Sequence, residues 1–150
     1  MQYPSKLVEK AVEEIATLPG IGKKTALRLA FHLLKEDKGA VQMLANSLIE
    51  LRENTMYCKQ CHCIADSDIC HICDSSYRTS ETICVVESTK DILAIEGTSQ
   101  YNGLYHVLGG IISPMDGIGP QQLTIQSLVE RAAKSETKEI IFRRSHTRSF

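Results

Sequence analysis

Four cysteines in two close pairs carry the clearest chemistry in this sequence. Cys58 and Cys61 form one pair, Cys70 and Cys73 form the other, and eight residues separate the pairs. Each Cys-x-x-Cys pair lets two thiolates reach one metal ion from a single turn, and Zn²⁺ accepts four sulfurs in a tetrahedron. Four sulfur ligands leave no position open for water. The pattern therefore predicts one structural zinc ion per chain rather than a catalytic one.

Two disulfides or a redox-active Cys-x-x-Cys pair would use the same residues. Residues 1–5 contain no charged region that leads into an apolar run, so we expect no secretion signal. A reducing cytosol disfavours disulfides, and paired motifs favour zinc more strongly than a single motif does. Cys63, His62 and His71 are alternative ligands, but the spacing favours the four paired cysteines. Cys84 lies in an apolar run and is expected to be a buried thiol.

A basic, glycine-rich segment is the second candidate for chemistry. No Asp or Glu occurs from residue 15 to residue 35, and residues 18–26 read Leu-Pro-Gly-Ile-Gly-Lys-Lys-Thr-Ala. Apolar residues recur at helical spacing on both sides, which predicts two helices separated at Pro19-Gly20. The start of the second helix would present unpaired N–H groups and partial positive charge to a phosphate. The residues expected to contact nucleic-acid phosphates are Gly20, Gly22, Lys23, Lys24 and Arg28.

Such contacts hold the phosphate backbone, so we expect nucleic-acid binding that is independent of base sequence and sensitive to salt. The alternative is a tight helix–helix turn with a solvated basic rim, because glycine-rich turns are common. Ile21 is expected to plug into the core between the two helices. A third helix over about residues 40–54 is expected to cover the first two.

The composition limits the classes of function that remain. Hydrophobic residues make up 43% and charged residues 23% of the 150, which is typical of a soluble globular protein. The net charge of −1 restricts any attraction for nucleic acid to a local patch. Aromatic residues are only 5% and tryptophan is absent, so base stacking is not expected to be the main binding device. No apolar stretch approaches the ~20 residues of a membrane span, so no membrane partner is expected.

The second half of the chain alternates between strand-like and helix-like segments. Strands are predicted over residues 82–87, 103–108 and 139–142, and helices over residues 90–97 and 121–133. Residues 109–120 contain four glycines and two prolines, which predicts a loop. The alternation predicts a parallel sheet with helices as crossovers.

Taken in order, these segments resemble the RecR family of bacterial recombination mediators. The resemblance covers about residues 1–142, and it rests on the hairpin, the paired cysteines and the runs 83–87, 101–108 and 112–120. It implies an α+β multi-module fold in three parts. These are a helix-hairpin-helix domain over 1–54, a four-cysteine zinc finger over 55–80 and a partial Toprim-like α/β domain over 81–150.

The resemblance also implies a function. Members of the family are non-enzymatic DNA-binding proteins of recombinational DNA repair, which work with RecO and RecF to load RecA onto gapped or single-stranded DNA. The family forms a ring tetramer in the bacterial cytoplasm, in association with the nucleoid. By resemblance, the same DNA-binding role, partners and location are expected here.

Two other classes of function remain open. A Toprim-type, metal-dependent enzyme acting on nucleic acid would use Glu87 together with an acidic pair, and no Asp-x-Asp motif follows Glu87. Asp116 can approach Glu87 from the glycine-rich loop, although no spacing requires it. A zinc-ribbon adaptor that binds only protein would use the hairpin as a structural turn.

The resemblance ends after Phe142. The family continues with a threonine-rich turn and further strands and helices, whereas this chain has a divergent basic tail from residue 143 to residue 150. A truncated or frame-shifted product, or a genuine basic tail, would explain this difference. We expect an incomplete sheet with an exposed apolar face and unpaired edges, which invites aggregation.

Overall fold

A computed structural model describes residue 3 and residues 5–143 of the chain. The chain divides into two compact units, Met1–Glu53 and Asn54–Phe150. Across the described residues, no helix combines the length and the apolar character needed to cross a membrane.

The first unit contains three helices, α1 (Lys6–Ile15), α2 (Lys23–Leu33) and α3 (Lys38–Asn54). The Ser5 hydroxyl caps α1 by accepting a hydrogen bond from the Leu7 N–H at 3.1 Å. The first helix ends at Ile15 rather than at Pro19, because tight turns intervene. In these turns Leu18 donates to the Ile15 carbonyl and Ile21 donates to the Leu18 carbonyl.

The core of the first unit lies between α1 and α2. Val12 of α1 and Ala26 and Ala30 of α2 are buried in it. Alanine side chains let the two helices approach closely, so a short hairpin can close over them. Ile21 packs against this core from the turn between the helices, as the sequence predicted.

The third helix does not cover the first two, so that prediction is wrong. No residue of α3 is buried, and its apolar side chains remain on the surface. Met43 is 67% exposed and Leu48 is 59% exposed. The physical reason is that α1 and α2 already bury their apolar stripes against each other.

The second unit contains a two-stranded hairpin and a three-stranded sheet. In the antiparallel hairpin, β1 (Met56–Tyr57) pairs with β2 (Ile64–Ala65). In the sheet, β3 (Thr82–Val86) lies between β4 (Leu104–Val107) and β5 (Glu139–Phe142), and both pairings are parallel. Helix α4 (Thr89–Glu96) connects β3 to β4, and α5 (Ile125–Lys134) connects β4 to β5. The predicted parallel sheet with helical crossovers is confirmed.

The predicted helix over 121–133 begins four residues late, at Ile125. Pro120–Gln122 forms a separate 3₁₀ turn, in which the Gln122 amide oxygen accepts a hydrogen bond from the Gly119 N–H at 2.8 Å. A second 3₁₀ turn, Pro114–Asp116, lies within the predicted loop. The glycine-rich connection is therefore built from short turns before α5 starts.

The central strand β3 is buried on both faces. Cys84 and Val86 pack on one side in a core that includes the paired cysteines, Tyr105 and Ile92 of α4. Ile83 and Val85 pack on the other side against Leu128 of α5. The segment that carries the paired cysteines therefore shares one hydrophobic core with the parallel sheet. The buried environment predicted for Cys84 is confirmed.

The last described strand, β5, forms an edge of the sheet. All four of its residues are exposed, with Phe142 at 70%. Arg143 continues the pairing, because its N–H donates to the Val85 carbonyl at 3.0 Å and its guanidinium donates to Asp91. The remainder of the predicted basic tail, residues 144–150, lies outside the described residues.

Candidate metal centre and nucleic-acid interface

The four paired cysteines come together at one point in the second unit. Their sulfur atoms all lie within 4.8 Å of one another. Cys58, Cys61 and Cys70 are buried, and Cys73 is half-buried. A tetrahedral zinc ion has Zn–S bonds of ~2.3 Å, which the present spacing accommodates after small side-chain shifts. The donor set and its burial fit a structural zinc ion.

Backbone geometry shapes both cysteine turns. The Cys58 N–H donates to the Cys63 carbonyl at 2.8 Å, and His62 adopts a left-handed conformation with φ of 61°. The Cys70 N–H lies 3.3 Å from the Cys58 sulfur, and the Cys73 N–H lies 3.4 Å from the Cys70 sulfur. N–H groups that point at sulfur stabilise the negative charge of a thiolate.

The electrostatics of the cluster favour a cation. Hydrogen bonding from Cys73 lowers the pKa of the Cys61 thiol to about 4, although burial opposes this shift. The same hydrogen bond, together with burial, raises the pKa of Cys73, and burial raises the pKa of Cys70. One thiolate thus suppresses the ionisation of its neighbours. A bound divalent cation lets all four ionise by displacing their protons.

The alternative ligands do not belong to this group of four. The Cys63 sulfur lies 3.2 Å from the Cys61 sulfur, and burial raises the pKa of the Cys63 thiol, which keeps it protonated. The His62 ring lies 2.8 Å from the Ser127 hydroxyl, and His71 is exposed. Among the described residues, the paired cysteines are the only group of three or more such side chains arranged to hold a metal ion.

Arg131 of α5 links the cysteine turns to the sheet. Its guanidinium donates to the Tyr105 carbonyl at 2.7 Å and to the Gln60 carbonyl at 3.3 Å, and it lies 3.9 Å from the Cys73 sulfur. Arg131 was not among the residues predicted from the sequence to have a role. In its local sequence, Arg131 is simply a basic residue in the last turn of a helix. Its hydrogen-bond partner Gln60 lies 71 residues earlier in the chain.

Two histidines complete the contact between the cysteine turns and the sheet. The rings of His62 and His106 meet edge to face, with 5.2 Å between their centroids. His106 is fully buried, and burial lowers its pKa to about 4, so it is neutral at pH 7. Its Nε2 donates to the Thr124 carbonyl at 3.1 Å. Beside it, the Val107 N–H donates to the Cys61 carbonyl at 2.7 Å.

Glu87 lies at the carboxyl end of β3, on a cavity of about 670 Å³. Lys90 at the start of α4 and the Gly109-Gly110 turn also line this cavity. Asp116 is not among the described residues that line it, and its carboxylate accepts a hydrogen bond from the Ser113 hydroxyl at 2.5 Å. The two carboxylates considered in the sequence analysis therefore occupy different surroundings.

The glycine-rich turn of the first unit leaves the start of α2 open. Gly20 has φ of 78°, a left-handed conformation that favours glycine. Gly22 is the N-cap residue with φ of −82°, and no side chain caps the helix. The Ala26 N–H donates to the Gly22 carbonyl at 2.9 Å, so the helical ladder starts there. The preceding N–H groups have no partner within the helix and face its open end.

A basic face runs along α2 from this open end. Lys24, Arg28 and Lys35 line a shallow cavity of about 430 Å³ together with Phe31. Lys23 directly precedes Lys24 in the helix and is not among the residues that line this cavity. The structure thus brings Lys24 and Arg28 together on one face and places Lys23 beside it. The position of Phe31 in this cavity was not predicted from the sequence, because it depends on which side chains the helix places together.

A helical hairpin, a four-cysteine metal centre and a parallel sheet in this order define a class of modular proteins that combine a zinc finger with a Toprim fold. Comparison with known families assigns each part. The RecR helix-hairpin-helix matches residues 8–52, the RecR four-cysteine zinc finger domain matches residues 55–75 and the Toprim domain matches residues 81–148.

Curated relatives match almost the whole chain. A protein of Phocaeicola vulgatus named Recombination protein RecR is 56% identical over 146 residues, which cover 97% of this chain and 71% of the relative. The protein of the same name from Cytophaga hutchinsonii is 56% identical over 148 residues, which cover 98% of this chain and 72% of the relative. The protein of that name from Bacteroides thetaiotaomicron is 53% identical, with 97% and 71% covered. The chain belongs to the RecR family.

Proposed function

We propose that this protein is a non-enzymatic, DNA-binding mediator of recombinational DNA repair that holds DNA by its phosphates. The observation that carries the proposal is the open start of α2. Unpaired N–H groups, Gly20 and Gly22 leave room for a phosphate there, and Lys23, Lys24 and Arg28 supply positive charge. The name Recombination protein RecR, borne by relatives with 53–56% identity, supports the same role.

The partners are proposed from the resemblance to the RecR family. We propose that the protein acts with RecO and RecF to load RecA onto gapped or single-stranded DNA, in the cytoplasm and at the nucleoid. We further propose a homo-oligomer, which in this family is a ring tetramer. The exposed apolar face of α3 supports an oligomer, because Met43, Leu48 and their neighbours would be buried by a second copy.

The metal centre is proposed to be structural. Cys58, Cys61, Cys70 and Cys73 would hold one zinc ion in a position that also lies in the core of the second unit. A full set of four sulfur ligands leaves no position for a reacting water. Among the described residues that line the 670 Å³ cavity, Glu87 is the only acidic one, and a single carboxylate holds Mg²⁺ weakly. We therefore propose no catalytic role for this cavity.

The test of DNA binding is a salt titration of a double variant, Lys23→Ala/Lys24→Ala. Each lysine neutralises about one phosphate, so the slope of log affinity against log salt concentration should fall by roughly one to two. The measurement is fluorescence anisotropy of a labelled oligonucleotide at several salt concentrations.

The matched control is Lys6→Ala/Lys10→Ala, which removes the same charge from α1 in the same unit. Its salt slope should equal that of the wild-type protein. An unchanged slope in the Lys23/Lys24 variant would refute the proposed role of the hairpin. Equal losses in both variants would show that only the total charge matters.

A second test separates the phosphate site from the stability of the hairpin. Gly22→Ser should leave the melting temperature unchanged or slightly raised, because serine is a good N-cap and a Cβ at this position meets nothing within 4 Å. The added side chain occupies the path of the phosphate, so DNA affinity should fall several-fold. Thermal melting and the same anisotropy assay measure both effects.

Gly20→Ala provides the comparison for this test. A non-glycine residue in the left-handed conformation costs roughly 1–2 kcal/mol, so this variant should lose stability. If Gly22→Ser binds DNA as tightly as the wild-type protein, no phosphate approaches the start of α2.

A further inference from the structure

We propose that Phe31 forms a stacking position for an unpaired base within the phosphate-binding surface of α2, so that this surface selects single-stranded nucleic acid. The inference rests on the DNA-binding function proposed above and specifies its ligand. It starts from an aromatic ring that is 43% exposed on a helix whose other face already fills the core.

The helical spacing places Phe31 among cations. Lys24, Arg28 and Phe31 follow one another at intervals of four and three residues, which puts them on one side of α2, and Lys35 lies in the turn after the helix. All four line the same shallow cavity of about 430 Å³. At 1.5 Å per residue, Lys24 and Phe31 lie about 10 Å apart along the helix axis, which is enough to span more than one phosphate of one strand.

Phe31 does not belong to the buried core of the hairpin. The buried side chains between α1 and α2 are Val12, Ala26 and Ala30, and Leu27 packs against them from the same stretch of α2. Phe31 lies on the outward side, within the basic cavity. A large exposed ring flanked by an arginine and lysines has the composition of a single-strand binding surface.

Base stacking on Phe31 makes this surface prefer single-stranded nucleic acid over a duplex. Every base has a π-face, so stacking on a phenyl ring tolerates any sequence, in agreement with backbone binding by the lysines. In a duplex the bases already stack on each other and are not free to meet a ring on a helix surface. The cations therefore bind both forms of DNA, whereas Phe31 adds affinity only where bases are unpaired.

The charges around the ring indicate where the phosphates lie. The His32 ring lies 3.4 Å from the Glu36 carboxylate, which places a negative charge near one end of the basic face. The opposite end carries Lys24, Lys23 and the open N–H groups of α2. Phosphates are accordingly expected at the N-terminal end of α2, with the stacked base further along the helix at Phe31.

The test compares Phe31→Leu and Phe31→Tyr with the wild-type protein on three probes. These are an oligothymidine strand, a strand of equal length without bases at internal positions and a duplex of equal length. Phe31→Leu keeps an apolar helix-forming residue but removes the ring. We expect it to lower affinity for the oligothymidine about tenfold and to leave affinity for the other two probes unchanged. Phe31→Tyr should retain the affinity for the oligothymidine.

The sequence supplies an independent readout, because it contains no tryptophan. Phe31→Trp introduces a single indole, whose fluorescence should be quenched by the oligothymidine and not by the abasic strand. Quenching by both strands, or by neither, would overturn stacking.

Other outcomes separate this inference from the proposed function. If Phe31→Leu binds all three probes like the wild-type protein, stacking is wrong while phosphate binding stands. If it loses affinity for all three equally, Phe31 acts through the fold rather than through a base. If Phe31→Leu changes only the oligomeric mass in light scattering, the ring serves a protein contact. Wild-type protein that binds none of the probes would reject the proposed function itself.

Discussion

Replacement of Cys70 by serine is expected to unfold the whole of the second unit, and not only the cysteine turns. The reason is that the four cysteines share a buried core with Cys84, Val86 and Tyr105 of the parallel sheet. Structural zinc contributes roughly 10–16 kcal/mol in small zinc-finger peptides, as much as the entire stability of a typical domain, about 5–15 kcal/mol. Without the fourth ligand, the sheet loses one side of its core.

The effect is measured by thermal melting and circular dichroism, with the zinc content determined by mass spectrometry. Addition of a strong chelator to the wild-type protein should reproduce the Cys70→Ser result. The helical signal of α1–α3 should persist in both cases, because residues up to Glu53 form a separate compact unit.

Cys63→Ala is the matched control for the zinc prediction. It removes a buried thiol that lies 3.2 Å from the Cys61 sulfur but outside the group of four. This variant should bind one zinc ion and lose only about 1 kcal/mol of stability, as expected for a small buried group. A zinc-free Cys70→Ser protein that melts like the wild type would disprove the structural role of the metal.

The second large effect is expected for Arg131→Met. This change removes the hydrogen bonds to the Tyr105 and Gln60 carbonyls and leaves the fully buried Tyr105 without that donor. Hydrogen bonds from a charged donor contribute about 1.5–3 kcal/mol, and an unsatisfied buried acceptor adds a penalty. We expect the free energy of unfolding of the second unit to fall by about 3 kcal/mol.

Urea denaturation at constant zinc saturation measures this loss. Lys134→Met, in the same last turn of α5, is the control, because it also removes a cation from the helix C-terminus. Its effect should stay within about 0.5 kcal/mol, as for an ordinary surface substitution. Arg131→Lys should fall between the two, since one ammonium cannot replace a guanidinium that serves two carbonyls. If Arg131→Met matches the Lys134→Met control, the guanidinium bridge contributes nothing.

Features that depend on residues close together in the sequence were predicted well. The cysteine spacing led directly to a cluster of four thiols, and the strand over 139–142 has the predicted bounds. The glycine-rich turn was identified because glycine and proline interrupt helical periodicity in a recognisable way. Ile21 was also placed correctly, since an apolar residue between two glycines has few other positions to occupy.

Features that depend on distant contacts were not predictable in the same way. The apolar repeat of α3 indicates an amphipathic helix but not what covers it, and the described first unit leaves Leu44 and Leu48 exposed. Arg131 reads as an ordinary basic residue near a helix C-terminus, and only the fold brings it to Gln60. The role proposed for Phe31 likewise depends on the cations that the fold places beside it.

The contact between the Val107 N–H and the Cys61 carbonyl has a consequence during synthesis of the chain. Val107 follows Cys73 by 34 residues, so all four thiols leave the ribosome before the strand that encloses them exists. At about 5–20 residues per second, this interval lasts roughly 2–7 seconds. In that time the nascent cysteines are open to oxidants and to competing metal ions. Early capture of zinc would protect them until the sheet closes around the ion.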